Sequence, residues 1–183
     1  RAFMVAYHPS NTGLTTPYPG DPDLRRSYPN AFFTTSYCMT GPFMPGAFVN
    51  RRVSGGQRLQ SRSVWASMSN GILSEASPAN MGMYTYYDFL AQTIYITVEV
   101  YYTDDMTNTN HIYVMLNEND IIAQQLNGGT NYVHYHVFRE AFVDQWGDPI
   151  TDPTTQGSLV TLEYEFSIAG TEYVVGNCEV LAF

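Results

Sequence analysis

Residues 131–140, NYVHYHVFRE, place His134 and His136 two apart among aromatics, with Arg139 close behind. Side chains at a spacing of two share one face of a strand, so Tyr132, His134 and His136 would line up together, with Val133, Tyr135, Val137 and Arg139 on the other side. Two imidazoles in that arrangement can begin a zinc site. Zinc takes three or four ligands, however, and the other histidines, His8 and His111, and the scattered acids stand at no ligand spacing. Histidine, tyrosine and arginine also combine an apolar body with a polar end, so they pack on a sheet and still hydrogen-bond. The run reads as a structural strand, and neither a metal nor another cofactor is expected.

Other candidate chemistry is thinner. A serine or cysteine nucleophile needs a partnered histidine and a third group to orient it, and no local stretch supplies that set. The serines of SRSVWASMSN fall on an expected helix. The acid pairs Asp104–Asp105 and Glu118–Asp120 fall in expected turns, where carboxylates commonly satisfy backbone N–H groups. Asp104, Asp105, Asn108 and Asn110 have calcium-ligand chemistry without a spaced loop motif. GPFMPG and NGGTN are turn glycines, not phosphate cradles, because no lysine or helix start follows where one is needed. Tyr84, Tyr86, Tyr87, Tyr95 and Tyr101 crowd one region, and tyrosine-rich faces are common in contact surfaces.

The elements that carry these residues follow from composition and period. Among 183 residues the chain has 15 tyrosines, 14 glycines and no lysine, a composition that favours pleated, half-buried surfaces over helices. Seven arginines precede residue 63 against Asp21 and Asp23, whereas the remainder holds Arg139 against fifteen carboxylates. So acidic a surface disfavours nucleic acid and anionic membranes as partners. Cys38 and Cys178 form neither a ligand cluster nor a redox pair by spacing, and a disulfide between them is left open. No apolar run reaches the length of a membrane-spanning helix.

AFMVAY, residues 2–7, is a continuous apolar run of the kind a strand covered on both faces shows. The five prolines of residues 9–30 then mark a surface excursion. Residues 45–53, PGAFVNRRV, read as a second strand. From Gln57 to Leu73, Leu59, Trp65, Met68 and Ile72 fall on one helical face, and Gly71 with Ser77–Pro78 ends the helix. In TIYITVEVYYT, Ile94, Ile96, Val98, Val100 and Tyr102 alternate with Tyr95, Thr97, Glu99 and Tyr101, which predicts a half-buried strand. HIYVMLNE repeats the alternation after a hairpin connection TDDMTNTN, as do SLVTLEYEFSI and the closing EYVVGNCEVLAF. The expected fold is mainly β: residues 1–80 a partial α/β segment, residues 81–183 an antiparallel β-sandwich.

The run YYTDDMTNTNHIYVMLNENDIIAQQ followed by NYVHYHVFREAF resembles the carboxyl-terminal module of the twenty-eight-kilodalton outer-membrane protein family, surface lipoproteins of Bacteroidota. The matching positions are Tyr101, Tyr102, Asp104, Asn110, Glu118, Asp120, Gln124, Tyr132, His134, His136 and Arg139, with Trp146–Gly147 and EVLAF. The resemblance implies an immunoglobulin-like sandwich for residues 81–183. The front is similar to the second half of the thioredoxin-like module these proteins carry: MVAYH as an inner strand, DLRRSYPNAFF as a helical or loop segment, and GPFMPGAFVNRR as the strand led by Pro45, the proline that is cis in such folds. In thioredoxin-like enzymes the reactive cysteine pair lies earlier in the chain, opening a helix that lowers the thiol pKa.

The resemblance implies an outer-membrane or cell-surface location, with any signal and lipid anchor upstream of residue 1. Chemistry by subtraction favours a non-enzymatic interaction protein whose sandwich face meets other surface proteins or glycans. The alternative is a fragment of a thiol-disulfide oxidoreductase with its cysteines upstream. An opening at Arg1 without methionine, and the missing lysines, suggest a cut, which makes an amino-terminal fragment of the same precursor a further expected partner. Pro45, Tyr95, Tyr101, Tyr132, His134, His136 and Arg139 are the structural or interface candidates.

Overall fold

The computed structural model describes residues 2–183. Two helices come first, α1 (Thr35–Cys38) and α2 (Arg62–Leu73). Ten strands follow: β1 (Ala79–Asp88), β2 (Thr93–Tyr102), β3 (His111–Ile112), β4 (Val114–Glu118), β5 (Ile121–Gln125), β6 (Gly129–His134), β7 (Val137–Ala141), β8 (Asp148–Pro149), β9 (Leu159–Ser167) and β10 (Cys178–Ala182). With 36% strand against 14% helix, the chain is mainly β with antiparallel sheets, and a small helical segment precedes them. The residues group into two compact units, one running to Ala76 and taking in Ile122–Val133, the other formed by Ser77–Ile121 and His134–Phe183.

The first unit is held by aromatic packing more than by ladders. Phe32 is buried and lies within 5.9 Å, ring centre to ring centre, of Tyr7, Tyr28 and Tyr37, and Tyr37 in turn meets Phe48 edge-on at 5.3 Å. Arg58 lies over the Tyr37 ring at 4.5 Å and its Nη1 donates to the Tyr37 carbonyl. Arg51 lies over Phe32 at 5.4 Å. Guanidinium on an aromatic face is favourable because the ring quadrupole is negative there. Helix α1 is capped by Thr34, whose hydroxyl accepts the Tyr37 N–H, and is ended by Met39 in the left-handed region. Half-buried Val64, Trp65, Met68 and Ile72 form the inward face of α2, as the period predicts, but the helix starts at Arg62. Buried Leu59 precedes it, and Trp65 Nε1 donates back to the Gln60 carbonyl.

Neither strand expected in this unit forms. Phe3 and Met4 are exposed, and residues 2–9 carry only isolated bridge pairings, such as Pro9 with Arg26. An apolar run becomes a strand only if a neighbour takes its backbone groups along its length. Residues 45–53 pair only at Ala47, with Gln60, and then turn through Asn50 (φ 46°) and Arg51 (φ 54°), a conformation incompatible with a strand.

The second unit is built from two three-stranded antiparallel sheets, ordered β1-β2-β9 and β10-β4-β7. Their apolar side chains share one core: Ile94, Ile96, Val98, Val100 and Tyr102 from β2, Val160 from β9, Ile112 from β3, and Val114 and Leu116 from β4. Burial alternates along β2 residue by residue, as the sequence pattern predicts. Strand β4 departs from its predicted alternation: all five residues are buried, because it is central to its sheet and Met115 and Asn117 are covered as well. TDDMTNTN is not a hairpin. Strand β2 pairs with β1 and β9, so the segment instead carries the chain from one sheet to the other. The last predicted strand is less than half as long as expected, with EYVVGN given over to a loop and a 3-10 turn before β10.

Candidate functional site

NYVHYHVFRE is two strands rather than one. β6 ends at His134 and β7 begins at Val137, and between them His136 has φ 55°. The left-handed residue breaks the two-residue period after β6, so Tyr132 and His134 alternate onto one strand face and His136 does not continue it. The His136 N–H donates to Asn119 Oδ1 at 2.8 Å, and its ring Nδ1 meets Glu179 Oε1 at 2.5 Å. Asn119, just past the end of β4, and Glu179 of β10 thereby fix a bend that would otherwise be costly for a residue with a Cβ. Tyr132 is exposed at its side of the break.

Arg139 is placed by a bulge. Across β4 and β7, Asn117 pairs with Phe138 and Leu116 with Glu140, which leaves Arg139 as the extra residue. Bulges re-aim a side chain out of the normal alternation, and here Val137, Phe138 and Arg139 are all buried in succession. Arg139 is 2% exposed and its Nε lies 3.1 Å from Glu118 Oε2, a carboxylate that is itself 4% exposed. Glu118 Oε1 accepts the Val174 N–H at 2.8 Å. Arg139 Nη2 reaches Glu172 Oε1 at 2.6 Å, and its guanidinium lies over the Tyr173 ring at 4.6 Å. Glu118 therefore ends a strand inside the fold and is not a turn acid. In the sequence Glu118 reads as a turn acid and as a position of the resemblance, whereas Glu172 and Glu179 escape notice. Arg139 is the one Arg or Lys among fifteen carboxylates after residue 62, directly after the apolar Val137–Phe138, and that isolation was the available signal.

The outward face of β1-β2-β9 has the opposite character. Register sets Tyr86 beside Tyr95 and Glu165, Tyr84 beside Thr97 and Glu163, and Tyr101 beside Leu159. Tyr84 and Tyr86 are 68% and 53% exposed, and the rings of Tyr86 and Tyr95 stack at 6.4 Å. Glu99, Glu163 and Glu165 are exposed on the same face, and none of the three strands contains Lys, Arg or His.

The remaining candidates do not converge. Pro45 is exposed, and the Met44–Pro45 peptide bond is cis. Both cysteines are free thiols. Burial pushes Cys38 up, and burial with the Glu118 charge pushes Cys178 up to about 11, Arg139 opposing. Asp105 Oδ1 accepts the Gln156 N–H, and Asn110 donates to the Tyr102 hydroxyl. Among the described residues no group of three or more His, Cys, Asp or Glu side chains is placed to hold a metal ion. An open depression lined by Glu140, Phe142, Asp148, Tyr164 and Glu165 adds further acid, and burial, with Asp148 contributing, pushes Tyr164 up to about 12.

The family model described as outer membrane protein Omp28 matches residues 30–183, most of the chain and all ten strands. The chain belongs to the Omp28 family. Neither a curated protein nor a solved structure matches it. Membership places this Omp28-family chain at the outer membrane or cell surface. The Omp28 description names a location and no reaction. Among the described residues no helix is long and apolar enough to cross a membrane, which says nothing of spanning by β-barrel strands.

Proposed function

We propose that this Omp28-family chain is a non-enzymatic binding module of the outer membrane or cell surface, and that the outward face of β1-β2-β9 takes a basic segment of another surface protein in adhesion or in assembly of a surface complex. The supporting observation is the exposed row of Tyr84, Tyr86, Tyr95 and Tyr101, interleaved with Glu99, Glu163 and Glu165 and without a cation on any of the three strands. Tyrosines offer rigid amphipathic area at low entropic cost. Carboxylates beside them favour a cationic partner and reject an acidic one. The elevated thiols of Cys38 and Cys178 agree with a role outside thiol chemistry, since the thiolate is the reactive form.

Arrays of basic peptides, acidic peptides and neutral glycans test the reading, with the double variant Tyr84→Ala, Tyr95→Ala as comparator. The expected result is retention of basic peptides by the native chain and their loss by the variant. Glycan retention without peptide retention would overturn the choice of partner. Equal retention by native chain and variant would overturn the choice of face.

A further inference from the structure

The two edges of the β1-β2-β9 sheet are protected unequally. β9 carries Glu163 and Glu165, so a second β9 laid antiparallel about Tyr164 would set these like charges against each other. β1 has no such device. It runs ten residues in unbroken register with β2, with no bulge, no proline and no charge before Asp88. Long, neutral edge strands present backbone groups ready to pair with a further strand, and no strand lies on the outer side of β1 among the described residues.

Cover on the inner face is also incomplete. Met81 and Met83 pair with Val100 and Val98 and point the same way, yet they are 43% and 42% exposed while both valines are buried. Ala79 and Tyr87 near the ends of β1 pack against the core, and the cover is missing along the middle of the strand. We propose that the free edge of β1 is a self-association edge, on which a second copy of this chain adds its own β1 antiparallel and fuses two three-stranded sheets into one of six.

A two-fold axis at Met83 pairs all of residues 79–87. It sets Met83 against the partner's Met83 and Met81 against the partner's Thr85, extending apolar contact where cover is missing. On the outer face Tyr84 lies across the partner's Gly82, an arrangement in which an aromatic ring covers the bare glycine. Asp88 falls opposite the partner's Pro78, so no like charges meet. This neutrality selects a second copy over a charged segment: an edge without charge offers a cationic or acidic strand no complement, while two such edges suit each other. The fused sheet would carry two tyrosine faces side by side, a bivalent surface.

Sedimentation of the chain across micromolar to millimolar loading tests the proposal, combined with hydrogen exchange of the residue 80–86 amides. The expected result is a concentration-dependent dimer whose β1 amides slow as it forms. Met83→Lys and, independently, Thr85→Lys are expected to weaken it by roughly tenfold, by placing charge at or beside the axis. Leu159→Lys, at an exposed position of β9, is expected to leave it unchanged, with thermal melts showing that all three fold. A monomer throughout the range, or a dimer that both β1 variants leave intact, would overturn the proposal.

Discussion

Glu118 and the set Glu99, Glu163 and Glu165 are carboxylates held in register on antiparallel strands of one unit. Glu118 is enclosed and the chain supplies its counter-charge: Arg139, aimed inward by a bulge, with Tyr173 stacked below. The outer set is exposed and the chain supplies it with no cation on any of the three strands. A buried carboxylate without a partner is costly, so Arg139 stabilises the fold. An exposed carboxylate is solvated and requires nothing, which leaves the outer face free to be completed by another molecule. Position in the fold, rather than residue type, separates a structural charge from one available for recognition.

The largest expected effect comes from breaking the enclosed pair. Arg139→Ala strands Glu118 in the core edge and should destabilise the chain by about 3–5 kcal/mol in urea unfolding. Pairing it with Glu118→Gln should recover much of that loss. The thiol beside the pair sharpens the same point. Cys178 in the native chain should alkylate roughly a hundredfold more slowly near neutral pH than in the unfolded chain, because its pKa is about 11 against 9.0. Since folding raises this pKa, the neutral thiol's contribution to stability is full below pH 9.0 and falls as pH rises through about 11. On the outer face the expectation reverses: Glu163→Lys should shift unfolding by less than about 0.5 kcal/mol, as exposed substitutions do.

The smallest effect belongs to an exposed pair in the first unit. Arg25 hydrogen-bonds Asp23 through two nitrogens and holds its carboxyl down to about 2. Folding lowers this pKa, so its stabilisation is present above 3.8 and is lost as pH falls through about 2. Carboxyl NMR titration of Arg25→Ala should return Asp23 toward 3.8, with little change in stability because the pair is exposed.

Legibility in the sequence followed burial asymmetry. β2 is covered on one face only, so its alternation stated both the strand and its orientation, and it put Tyr95 and Tyr101 outward correctly. The acidic, cation-free composition of the outer face was likewise visible. β4, covered on both faces, had no asymmetry to read, and its Asn117 sits in the interior despite its polarity. The apolar run at residues 2–7 carried no information about whether a neighbouring strand exists, and Phe3 and Met4 are exposed. The histidine pair failed for a local reason: period-two reasoning assumes an unbroken strand, and a left-handed His136 held by Asn119 and Glu179 interrupts it. Neither partner is near in sequence, so no window around the histidines contained the cause.

The claim that the exposed tyrosine–carboxylate face is a recognition surface is tested most directly by NMR titration of the chain, labelled at tyrosine, with an extended arginine-rich peptide at low and high salt. Saturable shifts confined to the rings of Tyr84, Tyr86, Tyr95 and Tyr101 and lost at high salt are the predicted result. Shifts elsewhere with those four rings unmoved would contradict it.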